Sequence, residues 1–483
     1  MTDKKDFYVT GTIFYPNAKL HLGHAYTMTV CDIINRYHKL KGEETLFLTG
    51  ADENTGKVIK SATEVGQDTP EFLAGITEGF KKLYKDMGFS YDEFVRTTDQ
   101  KSHWPAAIKL WNKLVESGDI YKSSYTGLYC PNCEAFYTEK DLIDGKCPQH
   151  FTVLEKIEEQ NYFFKLSKYT NEIKQKIESD EFEIVPVTRK NEILALLERG
   201  LEDVSFSRPI KNVPHGIPVP GDPEQVIYVW CDALVSYVSG IGYGTDEEKF
   251  QKFWPADVHV IGKDILRFHA AIWPAMLLSA GLPLPKKLLV HGLITSQGKK
   301  MSKSIGNVVD PYDLINEYGA EAVRYFLTRE IPIFEDGDLT LERFKESYNS
   351  GLANGLGNLV SRIMTLSEKY LDKRVAEIAV EVVEAKKINP FISDALDQFD
   401  VNNACQMIWN SISKLDKQIS DQEVFKVVKS DIPKAKTMLI DYLDKLAEIA
   451  CELKIFLPQT SNKIIEIIKE NKKPEAPLFM RKD

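Results

Sequence analysis

Residues 7–53, FYVTGTIFYPNAKLHLGHAYTMTVCDIINRYHKLKGEETLFLTGADE, hold the order on which the fold reading turns. FYVTGTIF (7–14) is rich in β-branched and aromatic side chains and reads as a strand. After the loop YPNAKLHL, the spacing of Met28, Ile33, Ile34 and Tyr37 predicts a helix from about Gly23 to Leu40. TLFLT (45–49) reads as a second strand and ends in Gly50-Ala51-Asp52-Glu53. Strand, helix, strand predicts an α/β protein with a doubly wound parallel sheet. Ligands of such sheets bind beyond the carboxyl ends of the strands, so the first loop and Asp52 are expected to share one crevice.

Outward from this unit the pattern breaks between about Tyr121 and Pro223 into short polar segments with a cysteine cluster and a proline-rich connector, VPHGIPVPGDP. Sheet-like runs resume at VIYVW (226–230), VHVI (258–261) and LLVHG (288–292), so the sheet is expected to be split in sequence by an insertion. Beyond Leu341 the apolar spacing is helical to the end, which predicts an α-helical bundle. The expected organisation is a catalytic half at 1–120, the insertion at 121–223, the second catalytic half at 224–290, a linker at 291–340 and the helical domain at 341–483.

With 483 residues, 43% hydrophobic and 27% charged, the chain has the size of a multidomain globular protein and the material for large cores. Its formal net charge of -10 excludes a nucleic-acid partner attracted by overall charge, so any RNA contact must use local basic patches. Met1–Lys5 leads into a strand-like run without the apolar core of a signal peptide, and no run of about 18 apolar residues is found, so neither a signal peptide nor a membrane span is expected. Seven cysteines, an odd and partly scattered set, argue against a secreted disulfide framework and for the cytoplasm.

Two segments carry the chemistry. His21-Leu22-Gly23-His24 stands where a helix N-terminus offers unpaired N–H groups to phosphate; Gly23 admits a close ligand and the imidazoles can donate to phosphate oxygens. The plainer alternative is a pair of capping histidines. Gly298-Lys299-Lys300-Met301-Ser302-Lys303-Ser304 joins a glycine hinge to three lysines and two hydroxyls, donors enough for a triphosphate leaving group, though a basic loop can also be mere solvated surface. Gly262-Lys263-Asp264 follows a strand and suits a nucleotide ribose, or else Asp264 caps a helix.

HLGH and KMSKS resemble the two ATP-binding motifs of class I aminoacyl-tRNA synthetases, HIGH and KMSKS. The resemblance implies a Rossmann-type catalytic domain that condenses an amino acid with ATP, with Mg²⁺ accompanying the ATP, and passes the aminoacyl group to tRNA. It implies phosphate contacts from His21, Gly23 and His24, a clamp on pyrophosphate from Lys300 and Lys303, ribose contacts from Gly262 and Asp264, and further ATP contacts from Ile294, Met301 and Ser302.

Aromatic side chains cluster in the loops around these motifs. Tyr15 precedes HLGH, Trp230, Ala233 and Tyr237 lie in VWCDALVSY, and Ile265, His269 and Trp273 share a helical face. A thioether gains from such a polarizable surround, although aromatic stripes are more often core. YPNAKLHLGHAY, TGADENTGKV, VIYVWCDAL, FHAAIWPAML and GKKMSKSIGNVVDPYDL are similar to stretches of the methionyl-tRNA synthetase family, over most of the first 365 residues. That resemblance implies a methionine site lined by Ile13, Tyr15, Trp230, Ala233, Leu234, Tyr237, Ile265 and His269, with Asp52 on the α-ammonium.

In the insertion, Cys130-Pro131-Asn132-Cys133 and Cys147-Pro148-Gln149-His150 form CxxC and CxxH pairs, the spacing of one structural tetrahedral Zn²⁺ with Cys130, Cys133, Cys147 and His150 as ligands. Relatives often carry four cysteines or two knuckles, so His150 is a departure. In the helical part Asn358 and Arg362 lie four apart on one face, suited to an unstacked base, and the family uses the matching pair to read the CAU anticodon of tRNA(Met). Where relatives have a stacking Trp, this chain offers Phe425 in a loosely aligned stretch, and His215 stands where relatives often have Trp. The appended dimerising module of some relatives has no counterpart before Asp483, so a monomer is expected.

Three other readings compete: a class I synthetase for another amino acid, a small-molecule nucleotidyltransferase with a HIGH-like motif, and a catalytically silent RNA-binding relative. The branched-chain enzymes' long editing insertion does not fit into 121–223, the helical C-terminal part does not suit the second reading, and intact His21, His24, Asp52, Asp264, Lys300 and Lys303 argue against the third.

Overall fold

Six strands, β1 (Asp6–Phe14), β2 (Glu44–Ala51), β3 (Glu93–Arg96), β4 (Glu183–Val185), β5 (Val258–Gly262) and β6 (Lys287–His291), pair in the order β3-β2-β1-β5-β6-β4 in the computed structural model of the chain. Every pairing is parallel. β1 has β2 on one side, with Val9 opposite Phe47, and β5 on the other, with Val9 opposite Val258. The strand order therefore reverses between β1 and β5, the point at which a doubly wound sheet opens a crevice beyond its carboxyl ends. The buried runs Val258–Gly262 and Leu288–Val290 show no alternation because helices cover both faces of a parallel sheet.

The structure describes residues 6–130, 135–137, 139, 142–148, 151–301, 308–384 and 387–483. They fall into two compact units, the first made of Met1–Leu20, Glu44–Lys85 and Ser90–His291, the second of His21–Glu43, Asp86–Phe89 and Gly292–Asp483.

The first unit holds the parallel sheet and the stretch between its halves. A long antiparallel ribbon pairs Ile120–Cys130 with Glu155–Phe164, flanked by Ala135–Tyr137 and Val204–Ser205. The same stretch also sends β4 back to the edge of the parallel sheet, where the buried Ile184 lies opposite Leu288. VIYVW, expected as a strand of the main sheet, is divided instead: Val226 and Ile227 end an antiparallel strand, Asp222–Ile227, and Val229 begins the helix Val229–Ser239. A helix buried on every side has no solvent-facing side, so its run could not be told from a buried strand by periodicity.

The second unit begins with α1 (Leu22–Leu40), which packs on helix Ala320–Arg329. Arg324, with no exposed surface, donates to Asp32 of α1 at 2.7 Å and to the Phe456 carbonyl at 2.8 Å, so one guanidinium joins α1 to the junction of the last two long helices, Ile432–Leu453 and Pro458–Glu470. The expected helical tail is present as a bundle that also includes Asn358–Tyr370, Lys373–Glu384 and Val401–Gln422. Among the described residues, no helix is long and apolar enough to cross a membrane.

Candidate active site

At the head of α1, in the second unit, His21 is the N-cap residue, extended at φ -107° and ψ 176°. Its Nδ1 accepts the Gly23 N–H at 3.1 Å, and His24 Nδ1 accepts the His21 N–H at 3.0 Å. The two imidazoles thus form a reciprocal capping box, the plainer of the two readings of HLGH. That role leaves the phosphate role open and defines it, because a ring that accepts at Nδ1 carries its proton at Nε2, where it can only donate. The rings lie 3.8 Å apart. Burial, and secondarily the charge of His21, hold His24 well below the usual imidazole range, so His24 is a neutral donor at neutral pH. A Cβ on Gly23 would come within 2.9 Å of the His21 ring, so this glycine makes room for the cap itself.

The next amide, Leu22 N–H, donates to Val309 O at 3.3 Å, just beyond the KMSKS segment. That segment starts as a hairpin: Ile294–Ser296 pairs antiparallel with Lys299–Lys300 across Gln297 and Gly298, both at positive φ (55° and 71°). Such a two-residue turn favours glycine. Asp338 Oδ1 holds it by accepting the Gly298 N–H and the Thr295 hydroxyl, each at 2.7 Å. Ile294 and Met301 are buried; the Lys300 side chain, Ser302 and Lys303 lie outside the described residues.

The first unit gathers most of the expected methionine site. Tyr15, just past the end of β1, packs in one apolar cluster with Trp230 and Ile265, and with Tyr228, Val229 and Phe268. Two helices carry the neighbouring groups: α2 spans His103–Glu116 and α3 spans Val229–Ser239, and Trp230, Ala233, Leu234 and Tyr237 all lie on α3. Trp230 stacks on Phe268 with ring centroids 3.5 Å apart. Phe268 was missed by the sequence reading; its signal was the quoted FHAAIWPAML, in which it stands three residues after Ile265. The turn Phe268–Ile272 is π-helical, not the regular helix assumed from the spacing of Ile265, His269 and Trp273.

His269 is buried, and its bonds determine its tautomer. Nδ1–H donates to Ile265 O at 3.0 Å, so Nε2 accepts the Tyr237 hydroxyl at 2.8 Å. Burial lowers its pKa to about 4 against the smaller opposing influence of the Ile265 carbonyl and Asp264, so the ring is neutral. Ile13 is buried on β1, and Asp52, 3% exposed at the end of β2, donates its N–H to Phe14 O at 3.0 Å. The ring of Tyr15 lies 3.9 Å from Lys57 Nζ, a cation–π contact. Gly262 ends β5 and caps the short turn Lys263–Ile265 without a side-chain bond, so Asp264 is not that turn's cap.

A buried polar network beside this cluster was not foreseen. Asp232 on α3 meets His103 of α2 and Asn54; Glu53 accepts from Thr77 at 2.9 Å and from Arg96 at 2.8 Å; His215 donates to Glu53 O at 3.0 Å. Glu53 and Asn54 lie in TGADENTGKV and Asp232 in VIYVWCDAL, but nothing in those stretches points to their partners Thr77, Arg96, His103 and His215, which lie far away in sequence. His215 thus acquires a packing role within the first unit.

Of the expected zinc ligands, Cys130 ends a ribbon strand and shares one buried cluster with Cys147, Leu154, Leu128, Tyr137 and Leu142. Two cysteines brought together in this way fit a metal's first pair of ligands, while Cys133 and His150 lie outside the described residues. Among the described residues no group of three or more His, Cys, Asp or Glu is placed to hold a metal. In the helical bundle Asn358 is exposed at the start of Asn358–Tyr370, and Arg362, one turn on, pairs with Asp416 and donates to Ser420 Oγ at 3.2 Å. Phe425 is 48% exposed on helix Val424–Ser430 and is not a core side chain.

A family model described as tRNA synthetases class I (M) matches residues 7–364. The methionine--tRNA ligase of Caldanaerobacter subterraneus subsp. tengcongensis is 43% identical over 473 residues, covering 96% of this chain and 74% of its own length. Among solved structures, a methionyl-tRNA synthetase of Mycobacterium tuberculosis in complex with methionyl-adenylate matches at a TM-score of 0.88 and 36% identity, over 96% of this chain and 94% of that one. The free form of the Mycobacterium tuberculosis enzyme matches at a TM-score of 0.82 and 31% identity over 99% of both chains. On this extent of likeness, the chain belongs to the methionyl-tRNA synthetase family of class I aminoacyl-tRNA synthetases.

Proposed function

We infer that this chain is an ATP-dependent methionine–tRNA ligase. It activates L-methionine to methionyl-adenylate with release of pyrophosphate, then transfers the methionyl group to the terminal adenosine of tRNA(Met) with release of AMP. The observation that carries the reading is the likeness, at a TM-score of 0.88 over 96% of the chain, to a relative solved with methionyl-adenylate, the product of the first step.

In that step a methionine carboxylate oxygen attacks the α-phosphate and the bond to the β-phosphate breaks, so no side chain has to form a covalent bond. Catalysis is positioning and charge stabilisation. His21 and His24 contact the phosphates through Nε2–H donors, with Gly23 admitting the close approach of the ligand; Lys300 and Lys303 hold the departing pyrophosphate. Gly262 and Asp264 hold the ribose, and Ile294, Met301 and Ser302 complete the ATP contacts. Mg²⁺ enters with ATP and neutralises phosphate charge. Asp52 pairs with the α-ammonium, a role its place at a strand end supports. Ile13, Tyr15, Trp230, Ala233, Leu234, Tyr237, Ile265 and His269 line the side-chain site, supported by the shared cluster of Tyr15, Trp230 and Ile265 and by the Tyr237–His269 bond. In the second step a hydroxyl of the terminal adenosine attacks the methionyl carbonyl and AMP leaves.

Asn358, Arg362 and Phe425 contact the anticodon, with Phe425 as the stacking ring, a role its exposure supports. Cys130, Cys133, Cys147 and His150 would hold one structural zinc, which would cross-link the ends of the ribbon. The catalytic domain comprises 1–120 and 224–290, with the knuckle-bearing insertion at 121–223, the KMSKS linker at 291–340 and the anticodon-binding helices at 341–483. The enzyme acts as a monomer in the cytoplasm. Charging of tRNA transcripts with radiolabelled methionine tests the whole reaction: transcripts with a CAU anticodon are charged and those with an altered anticodon are not. Equal charging of both would refute anticodon reading.

A further inference from the structure

Asn54, His103 and Asp232 stand outside the proposed ligand contacts, yet they are 3%, 0% and 0% exposed. A buried carboxylate is costly unless both oxygens are hydrogen-bonded. Asp232 meets that condition: Oδ1 accepts His103 Nε2–H at 2.6 Å and Oδ2 accepts Asn54 Nδ2 at 2.8 Å. Asn54 Nδ2 also donates to Thr97 O at 2.9 Å, so the orientation of its amide is set by two acceptors. The backbone beside it is pinned as well, since Glu53 N–H and Asn54 N–H both donate to Thr97 Oγ1, at 2.8 and 3.2 Å. At the far end of α3, Ser239 Oγ lies 2.8 Å from His103 Nδ1.

Helical spacing gives this arrangement its direction. On α3, Trp230, Ala233, Leu234 and Tyr237 are related by three and four residues and form one face; Asp232, Ser236 and Ser239 form another. The first face is the proposed thioether wall. The second is bolted to α2 through His103 and to the loop after β2 through Asn54, two residues past Asp52.

We propose that Asn54 and Asp232, backed by His103, are positioning residues that set the separation between the Asp52 carboxylate and the side-chain wall of α3, and so gauge the length of the amino acid. The proposal rests on the reading of Asp52 as the partner of the α-ammonium. It makes discrimination between methionine and its longer S-ethyl homologue depend on a bond that touches neither.

Asn54→Ala, Asp52→Asn and the double variant, in the full chain, test it by pyrophosphate exchange. Asn54→Ala is expected to raise KM for methionine about ten- to a hundredfold and to narrow the preference over ethionine, the scale of effect that a misplacement of about 1 Å produces. KM for ATP should stay within about twofold, and in the Asp52→Asn background the same substitution should add no more than about twofold, because the group being positioned is gone. Inhibition by 4-(methylthio)butanoate, which has the thioether but no ammonium, should not change. A rise in KM for ATP equal to that for methionine, or an undiminished effect of Asn54→Ala beside Asp52→Asn, overturns the proposal. If Asp52→Asn itself leaves methionine use intact, the ammonium assignment fails and the gauge fails with it; if Asp52→Asn is impaired and Asn54→Ala is not, only the gauge fails. Asn54→Ser takes the place of Asn54→Ala, with the same criteria, if the alanine variant does not fold.

Discussion

The tautomer a histidine adopts decides what it can offer, and three rings here are specified by their partners. His21 and His24 accept at Nδ1 and so present N–H donors at Nε2, whereas His269 donates at Nδ1 and accepts at Nε2. His269→Ala leaves the Tyr237 hydroxyl buried without its acceptor, at a cost of about 1–3 kcal/mol. Steady-state kinetics should show KM for methionine rising about tenfold or more with KM for ATP little changed; equal losses would remove His269 from the side-chain site. Gly23→Ala should leave the melting temperature near that of the parent, since alanine favours helix, but push the His21 ring aside and slow pyrophosphate exchange. His24, His259 and His269 are held below the ordinary imidazole value chiefly by burial. Lowered folded values mean stability that is complete above about pH 6.5 and lost as pH falls towards 4, because the unfolded chain takes up protons first; His269 alone, falling from 6.5 to about 4, accounts for at most about 3 kcal/mol. The urea midpoint should therefore drop between pH 7.5 and 5, and drop less in His269→Gln. At this scale HLGH was legible because a helix N-terminus is a local feature. The Asn54–Asp232–His103 contacts were not, because only the folded chain brings them together.

Among the elements, α1 depends on a partner distant in sequence. Arg324 and Asp32 are both fully buried, and Arg36 also pairs with Asp32 at 2.8 Å, so Arg324→Leu leaves that carboxylate with one of its two cations and should destabilise the chain by about 1–3 kcal/mol in urea unfolding. An effect below about 1 kcal/mol would show that the pair does not anchor the helix. The start of Asn358–Tyr370 makes a different prediction. In the proposed anticodon contact Arg362 exchanges Asp416 for a base, which predicts that Arg362→Ala lowers charging of tRNA while pyrophosphate exchange proceeds unchanged. Loss of both activities would make Arg362 a structural residue. Elements with a clear period, such as β1, α1 and the helical tail, could be read from the sequence. α3 could not, because complete burial erases its period, and neither could β4, three residues whose pairing with β6 lies a hundred positions away in the chain.

For the molecule as a whole, a formal charge of -10 means that tRNA binding cannot rely on overall attraction and must come from local contacts. The doubly wound parallel sheet and the helical tail follow from long periodic segments and were legible; the strand order and the return of one strand to the sheet from within the inserted stretch were not. Metal analysis of purified protein should find zinc at about one ion per chain, and a chelator should loosen the ribbon that carries Cys130 before it melts the parallel sheet. Absence of zinc together with unchanged activity and melting in Cys130→Ser would remove the knuckle. The central claim is methionine activation, and pyrophosphate exchange run with each amino acid in turn tests it most directly. Exchange driven by methionine, and by close isosteres only at much higher concentration, is the predicted result; exchange driven by another amino acid in preference to methionine, or none at all, would contradict it.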